Sequence, residues 1–275
     1  MTHASMLRWL ICPDDGGSLT FVNGLLMCNG CGRAFEVDDN IVRILPRQLM
    51  EPSSDSELQK LREQKTRDEQ ASWYDMLIGL KLVELFEMPI YRKLLGTRCY
   101  DVALEIGCGT GRVTVELVKR VKHLFALDLS YASLELCRKR LKRSFGNDGW
   151  LLLHGDANSL PIRDESCDLV FSAQAIEHVP GKHLQCEVFY EVARVLKPSS
   201  PFVFSIYHWS WLMKLFSKRE GYHKGGIYFY RWNAEELKQA LSKHFEVEYI
   251  RPCAGYILIV RALKRANGNK AAMGG

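Results

Sequence analysis

No stretch of about 18 uninterrupted apolar residues occurs in this 275-residue chain, so no membrane-spanning helix is expected. The opening residues lack a charged-then-apolar leader, and no secretion signal is expected from them. A large excess of one charge is also missing: 37 Lys and Arg face 32 Asp and Glu, a net charge of +5. That is less than a dedicated nucleic-acid binder usually carries. The cysteines form no regular framework; they number nine, an odd count, and several fall within expected core elements. Reduced thiols in a cytoplasm fit this pattern better than a disulfide scaffold. No internal repeat is visible.

What is present is ample apolar content for a core, and a length that suits one full domain plus a small one. Residues 1–46 read as a small β unit, with hairpin-like turns at Asn23-Gly24 and Asp38-Asp-Asn40. Residues 47–99 read as a linker and helical lid. Pro52-Ser-Ser-Asp-Ser56 breaks the chain, and the charged run to Gln70 is expected as a solvated helix anchored only by Leu58 and Leu61. Trp73 to Leu95 is a more apolar helix, bent near Pro89. From residue 100 to 263 strands and helices alternate: strands at 102–106, 123–128, 150–154, 168–173 and 202–207, then a paired end at 245–251 and 255–262. Asn233 caps the helix before that pair. This is an α/β pattern with a mainly parallel sheet covered on both faces. Residues 264–275 read as a flexible tail.

The most informative stretch is Leu104-Glu-Ile-Gly-Cys-Gly-Thr-Gly-Arg112, which closes an apolar run and opens a helix-like one. Gly107, Gly109 and Gly111 let a backbone approach a bound nucleoside closely, because no Cβ intervenes. Their alternate spacing lacks the three-residue step of the dinucleotide fingerprint. Glu105 falls at the carboxyl end of a strand, where ligands of open α/β sheets bind. Asp128 ends the next strand, suited to accept both ribose hydroxyl protons, and Asp156 the one after, within reach of an adenine amino group.

The ordered set Glu105-Ile-Gly-Cys-Gly-Thr-Gly111, Asp128, Asp156, Asp168-Leu-Val-Phe and Arg194-Val-Leu-Lys-Pro198 resembles the class I S-adenosylmethionine-dependent methyltransferases over about 100–263. The closest likeness is to the group that methylates small molecules and quinones. It implies a Rossmann-like seven-stranded sheet, last strand reversed, with helices on both faces, and S-adenosyl-L-methionine as cofactor. By motif position Glu105, Gly107, Cys108, Gly109 and Gly111 line its methionine and ribose end. Asp128 with Leu129 holds the ribose, and Asp156 with Ala157 the adenine. Gln174 joins this set, and Tyr74 sits where related enzymes place a lid residue. Gln174-Ala-Ile-Glu-His178 resembles the Glu-x-x-Glu-His of ubiquinone-pathway O-methyltransferases, which bind a divalent metal there; here Gln174 stands for the first Glu. His178 is then a candidate base or substrate-orienting group.

The acceptor side falls in an aromatic insertion at about 207–232. Tyr207 and His208 are candidate acceptor contacts, and Trp209, Leu212, Met213 and Phe216 follow helical spacing. Interleaved Lys214, Lys218, Arg219 and Lys224 leave three acceptors open: a small, partly apolar molecule, RNA, or a lipid or quinone reached by peripheral membrane contact. Arg138-Lys-Arg140 with Lys142-Arg143 reads as a solvated helix face.

The first 46 residues resemble the zinc-ribbon-like tRNA-methyltransferase activators through Cys12-Pro, Cys28-Asn-Gly-Cys31 and Phe35-Glu-Val-Asp-Asp-Asn-Ile-Val-Arg-Ile-Leu45. Asp15 stands where the second cysteine would be, so Cys12, Asp15, Cys28 and Cys31 are the candidate ligands of one structural zinc. Ribosomal-RNA guanine methyltransferases carry a similar fused ribbon. Three functions follow: a small-molecule methyltransferase, an rRNA or tRNA methyltransferase docking through the ribbon, or a noncatalytic partner subunit that retains cofactor binding.

Overall fold

The computed structural model describes residues 5–74, 78–211, 213–223 and 225–266, with side chains at 73–84 and 216 left aside. Four short strands come first, β1 (Leu19–Val22), β2 (Leu25–Cys28), β3 (Ala34–Asp38) and β4 (Ile41–Arg43), each antiparallel to the next. Helices α1 (Arg47–Met50), α2 (Asp55–Tyr74) and α3 (Ile78–Leu95, containing Pro89) follow. The alternating part then begins with β5 (Tyr100–Ile106), α4 (Thr114–Leu117), β6 (Val121–Asp128), α5 (Tyr131–Phe145) and β7 (Trp150–His154). It continues with β8 (Leu169–Ala173), α6 (Lys182–Val195) and β9 (Pro201–Tyr207). The insertion holds the single turn α7 (Met213–Phe216) and the hairpin β10 (Glu220–Tyr222) and β11 (Tyr228–Tyr230). Helix α8 (Ala234–Ser242), β12 (Phe245–Cys253) and β13 (Ile257–Lys264) close the described chain.

The main sheet runs β1-β2-β3-β4-β7-β6-β5-β8-β9-β13-β12. From β7 to β12 these are the expected seven strands, the last of the chain reversed: β5 to β9 are parallel, and β13 runs antiparallel to β9. Central strands are buried on both faces and read as unbroken apolar runs; Leu151, Leu152 and Leu153 are all fully buried. One apolar layer gathers Phe125, Phe189, Phe202, Phe204 and Trp232, and the other Tyr91, Leu124, Leu134, Trp150 and Phe171. Caps behave as the sequence implies: Asn233 accepts from Glu236 N–H at the start of α8, and Ser130 from Ser133 N–H at the start of α5. Among the described residues no helix is long and apolar enough to cross a membrane.

Two expectations need correction. The N-terminal unit extends the main sheet directly. Strand β4 pairs in parallel with β7, Ile41 against Leu152 and Arg43 against His154. Asn40 Nδ2 donates to the Asn147 and Trp150 carbonyls, at 3.0 and 3.2 Å. Of the α5 basic residues expected on a solvated face, Lys139 and Arg143 are exposed, but Arg138 and Lys142 grip this unit by pairing with Asp38 and Asp39. A unit of about 40 residues cannot bury enough surface alone, and an open β7 edge would invite foreign strands; pairing them answers both.

The second correction concerns α2, which is helical but not solvated all round. Gln59 and Lys60 are both 7% exposed, whereas the expected anchor Leu58 is 41% exposed. Polar contacts seat this helix. Asp68 Oδ1 accepts from Ser130 Oγ (2.6 Å) and the Ala132 N–H (3.1 Å). Gln59 Nε2 and Thr66 Oγ1 donate to the carbonyls of Gly226 (2.7 Å) and Gly225 (2.8 Å), at the tip of the β10–β11 hairpin. The helical spacing expected through Leu212 yields only α7; Leu212 and Lys224 lie outside the described residues, as do 267–275 of the expected tail.

The Asn40 bridge can be tested directly. Asn40 has φ +71°, a left-handed conformation that Asn tolerates better than Ala, and it is 1% exposed. Asn40→Ala is expected to cost about 1–3 kcal/mol in urea unfolding, from two lost hydrogen bonds and added strain. A loss below about 0.5 kcal/mol would mean that the junction contributes little.

Candidate functional site

Strand β5 ends at Ile106 and the chain turns sharply against its neighbours. At Gly107, φ is +71° and a Cβ would lie 2.1 Å from the Ala175 Cβ. At Gly111, φ is +86° and a Cβ would meet Cys137 Sγ at 2.6 Å. Only glycine satisfies both demands. The turn is tied to β6 by the Gly107 and Cys108 N–H groups, which donate to Leu127 O at 2.8 and 3.1 Å. Asp128 completes the tie. Its Oδ2 accepts from Gly109 N–H (2.7 Å) and its Oδ1 from Ser130 N–H (2.8 Å). Burial raises the Asp128 carboxyl above the usual range, against the pull of those two N–H groups.

The ends of β5, β6, β7 and β8 open into one cavity. Glu105, Gly107, Cys108, Gly109, Asp128, Leu129, Asp156, Ala157 and Gln174 all stand on its wall, as does His178. Glu105 is 2% exposed and its Oε2 has no partner among the described residues; burial pushes it up to about 8. A carboxyl in that state calls for a proton or for a ligand's polar group. Asp156 Oδ2 accepts from Lys60 Nζ (2.6 Å), which also reaches Asn158 Oδ1 (2.8 Å).

Lys60 belongs to a face that the sequence reading missed. Lys60, Glu63, Arg67, Gln70 and Ala71 of α2 line the cavity at steps of three and four residues. That helical period was present in the sequence, but it is carried by polar side chains, and only aliphatic ones were counted as anchors. Thr110 and Arg112 of the wall were likewise missed.

His178 sits in a 3-10 turn (Ile176–His178) and is 7% exposed. Its Nδ1–H donates to Tyr228 O at 2.8 Å, which leaves Nε2 as the acceptor. Burial holds its pKa well below the ordinary histidine value, so the ring is neutral near pH 7. Tyr207 is not on the wall; its ring packs edge-on against His178, 5.5 Å between centroids. His208 is not on the wall either, and its buried Nδ1 is unpartnered among the described residues. Gly111 serves packing against α5 and stands off the wall, while the Tyr74 side chain lies outside the described residues. Among the described residues, no group of acids and histidines at 174–178 comes close enough to share an ion; the one such group is Cys12, Asp15, Cys28 and Cys31.

A parallel sheet with this reversed last strand, and a cavity of carboxylates and a glycine turn at its carboxyl edge, define the class I methyltransferase architecture. Residues 104–204 match the family model of the methyltransferase domain. It is 39% identical over 107 residues to a malonyl-[acyl-carrier protein] O-methyltransferase of Marinomonas sp., 38% of this chain and 37% of the relative. It is 34% identical over 109 residues to a demethylmenaquinone methyltransferase of Lactobacillus johnsonii, 38% of this chain and 43% of the relative. The chain thus spans well under two thirds of these relatives. Among solved structures it resembles a Haloferax volcanii complex of the Trm112 methyltransferase activator with a putative methyltransferase, with TM-score 0.57 and 18% identity over 73% of this chain and 98% of that one. It also resembles the N-methyltransferase NodS of Bradyrhizobium japonicum with S-adenosyl-L-homocysteine, with TM-score 0.52 and 17% identity over 64% of this chain and 84% of that one. At such identities these two show the fold alone.

The acids give a pH signature. Burial pushes Glu87 up to about 7, and Glu105 and Glu177 up to about 8. These carboxyls hold protons in the folded chain that the unfolded chain has lost, so their contribution is full below their unfolded values and is lost as pH rises through 7–8. The buried His154 and His178 and the half-buried His223 have lowered pKa values and are neutral in both states above pH 7, so they do not offset this. The ligand-free protein should therefore melt roughly 5 °C lower at pH 9 than at pH 7. A flat or rising melting temperature across that window would contradict the burial of these acids.

Proposed function

We propose that this chain transfers a methyl group from S-adenosyl-L-methionine to a small-molecule acceptor. The observation that carries the reading is the convergence of Glu105, the Gly107–Gly109 turn, Asp128 and Asp156 on one cavity at the carboxyl edge of adjacent parallel strands. Glu105 and the turn would meet the methionine and ribose end, Asp128 with Leu129 the ribose, and Asp156 with Ala157 the adenine. When bound, the cofactor supplies a methyl group already activated by its sulfonium. The protein's task is then to align the acceptor and exclude water, so orientation carries much of the rate. His178, with Nδ1–H held by Tyr228 O, turns Nε2 to accept a proton from the acceptor or to orient it. Tyr207 supports that ring from behind.

Closure and charge support the small-molecule reading. Helix α2 covers the cavity and is joined to the β10–β11 hairpin through Gln59 and Thr66, which favours a small molecule over a folded RNA. Net charge is modest, and the relatives' printed acceptors are a carrier-bound acid and a quinone precursor. Calorimetry should show one equivalent of S-adenosylhomocysteine bound. Methyl label given to fractionated cell extract should enter the small-molecule pool. His178→Ala should lower turnover about 100-fold or more with product affinity kept. Label entering RNA alone would transfer the assignment to the rRNA or tRNA reading.

We also propose a structural zinc at the ribbon tip. The four ligand atoms of Cys12, Asp15, Cys28 and Cys31 lie within 4.8 Å of one another, with Cys12 and Cys31 Sγ 3.8 Å apart. The N–H groups of Gly30 and Cys31 point at Cys28 Sγ (3.3 and 3.4 Å), as suits a thiolate bound to a cation. Three thiolates and one carboxylate oxygen would make up a tetrahedral site. Protein purified without chelator should carry one equivalent of zinc by elemental analysis, and Cys31→Ala should carry none. A metal-free wild type would leave the ribbon held by its core alone.

A further inference from the structure

Glu87 lies on α3, outside the stretch that matches the methyltransferase domain, and is 1% exposed. Both its oxygens accept from Gln174 Nε2, at 3.0 and 2.9 Å. Gln174 stands on the cavity wall in a left-handed conformation, φ +51°, that non-glycine residues seldom adopt. Its backbone is held as well. The Gln174 N–H donates to Ser205 Oγ (3.2 Å), which also accepts from the Tyr91 hydroxyl (2.7 Å). Backbone and side chain of one strained wall residue are thus fixed from α3 and β9 together. Such strain persists where its surroundings over-determine it, and it concentrates at binding sites.

An ionised carboxylate can only accept. Once Glu87 is ionised, the Gln174 amide must turn its NH2 group toward α3, which leaves its carbonyl oxygen for the cavity. A glutamine without that neighbour could present either end. The next residue, Ala175, abuts Gly107, so Gln174 lies beside the glycine turn.

We propose that Glu87 is a positioning residue that locks the Gln174 carbonyl toward the cavity, where it accepts a hydrogen bond from the ammonium group at the amino-acid end of the cofactor. This rests on the reading that the cavity takes S-adenosylmethionine. Glu87→Gln has nearly the same shape but can donate as well as accept, so the Gln174 amide is no longer held and can aim two N–H bonds at the ammonium. Glu87→Gln combined with Gln174→Glu exchanges the roles. The amide introduced at position 87 donates to the carboxylate introduced at position 174, whose second oxygen faces the cavity.

The test uses the full chain at pH 8.5, calorimetry, and two probes: S-adenosylhomocysteine, and 5′-methylthioadenosine, which lacks the amino-acid end. Glu87→Gln should weaken S-adenosylhomocysteine about 10-fold to 100-fold and change methylthioadenosine by less than about 2-fold. The double variant should recover S-adenosylhomocysteine to within about 5-fold of wild type. Equal weakening of both probes, unchanged affinity in Glu87→Gln, or no recovery in the double variant each overturns the proposal. If Glu87→Gln does not fold, the double variant decides alone by the same criterion. Failure of the wild type to bind either nucleoside sinks the functional reading itself, which separates the two outcomes.

Discussion

The ligand edge of this protein depends on a close approach between two backbone turns. The turn after β5 has to lie against Ala175, after β8, and a single methyl at Gly107 would forbid it. With that approach made, the Gly107 and Cys108 N–H groups reach Leu127 O, and Gly109 N–H reaches Asp128. Each strand end is thereby placed relative to its neighbour by hydrogen bonds of fixed length. The carboxylates at those ends then face one cavity because their strands are adjacent in the sheet.

The same edge concentrates charge in a nearly dry place. Lys60 and Asp156, with side chains 8% and 10% exposed, offset each other's desolvation at 2.6 Å. Glu105 Oε2 on the cavity wall, and both carboxyl oxygens of Glu177 off it, have no partner among the described residues. Unpartnered buried acids are held as neutral groups until something cationic arrives. The polar lid α2 fits the same logic: its inner face meets ionic and hydrogen-bonding groups, so charged side chains serve there where leucines would leave acids unmatched.

The N-terminal ribbon takes part in the site at one remove. It pairs with β7, whose last residue His154 precedes the Asp156 loop, and the Ile44 N–H donates to His154 O. Ser159 Oγ donates to Pro13 O and the Ile11 N–H to Pro161 O, so the chain beyond Asp156 is also held by the ribbon. The Cys12, Asp15, Cys28 and Cys31 cluster outside the cavity is thus mechanically continuous with the wall that carries Asp156.

Much of this was legible without coordinates. Apolar runs defined β5 to β9 to within two residues, because strands buried on both faces tolerate few polar side chains. Glycine spacing and the acids at Glu105, Asp128 and Asp156 located the cavity, since local chain geometry ties those residue types to turns and strand ends. Hidden from the sequence were the contacts between segments distant along the chain: the β4–β7 pairing, the inward face of α2, the Glu87–Gln174 bond and the absence of Tyr207 and His208 from the wall. Those depend on which surfaces meet after the sheet has formed. A polar side chain carries no mark of whether water or another buried charge will be its partner, and only the tertiary arrangement decides that.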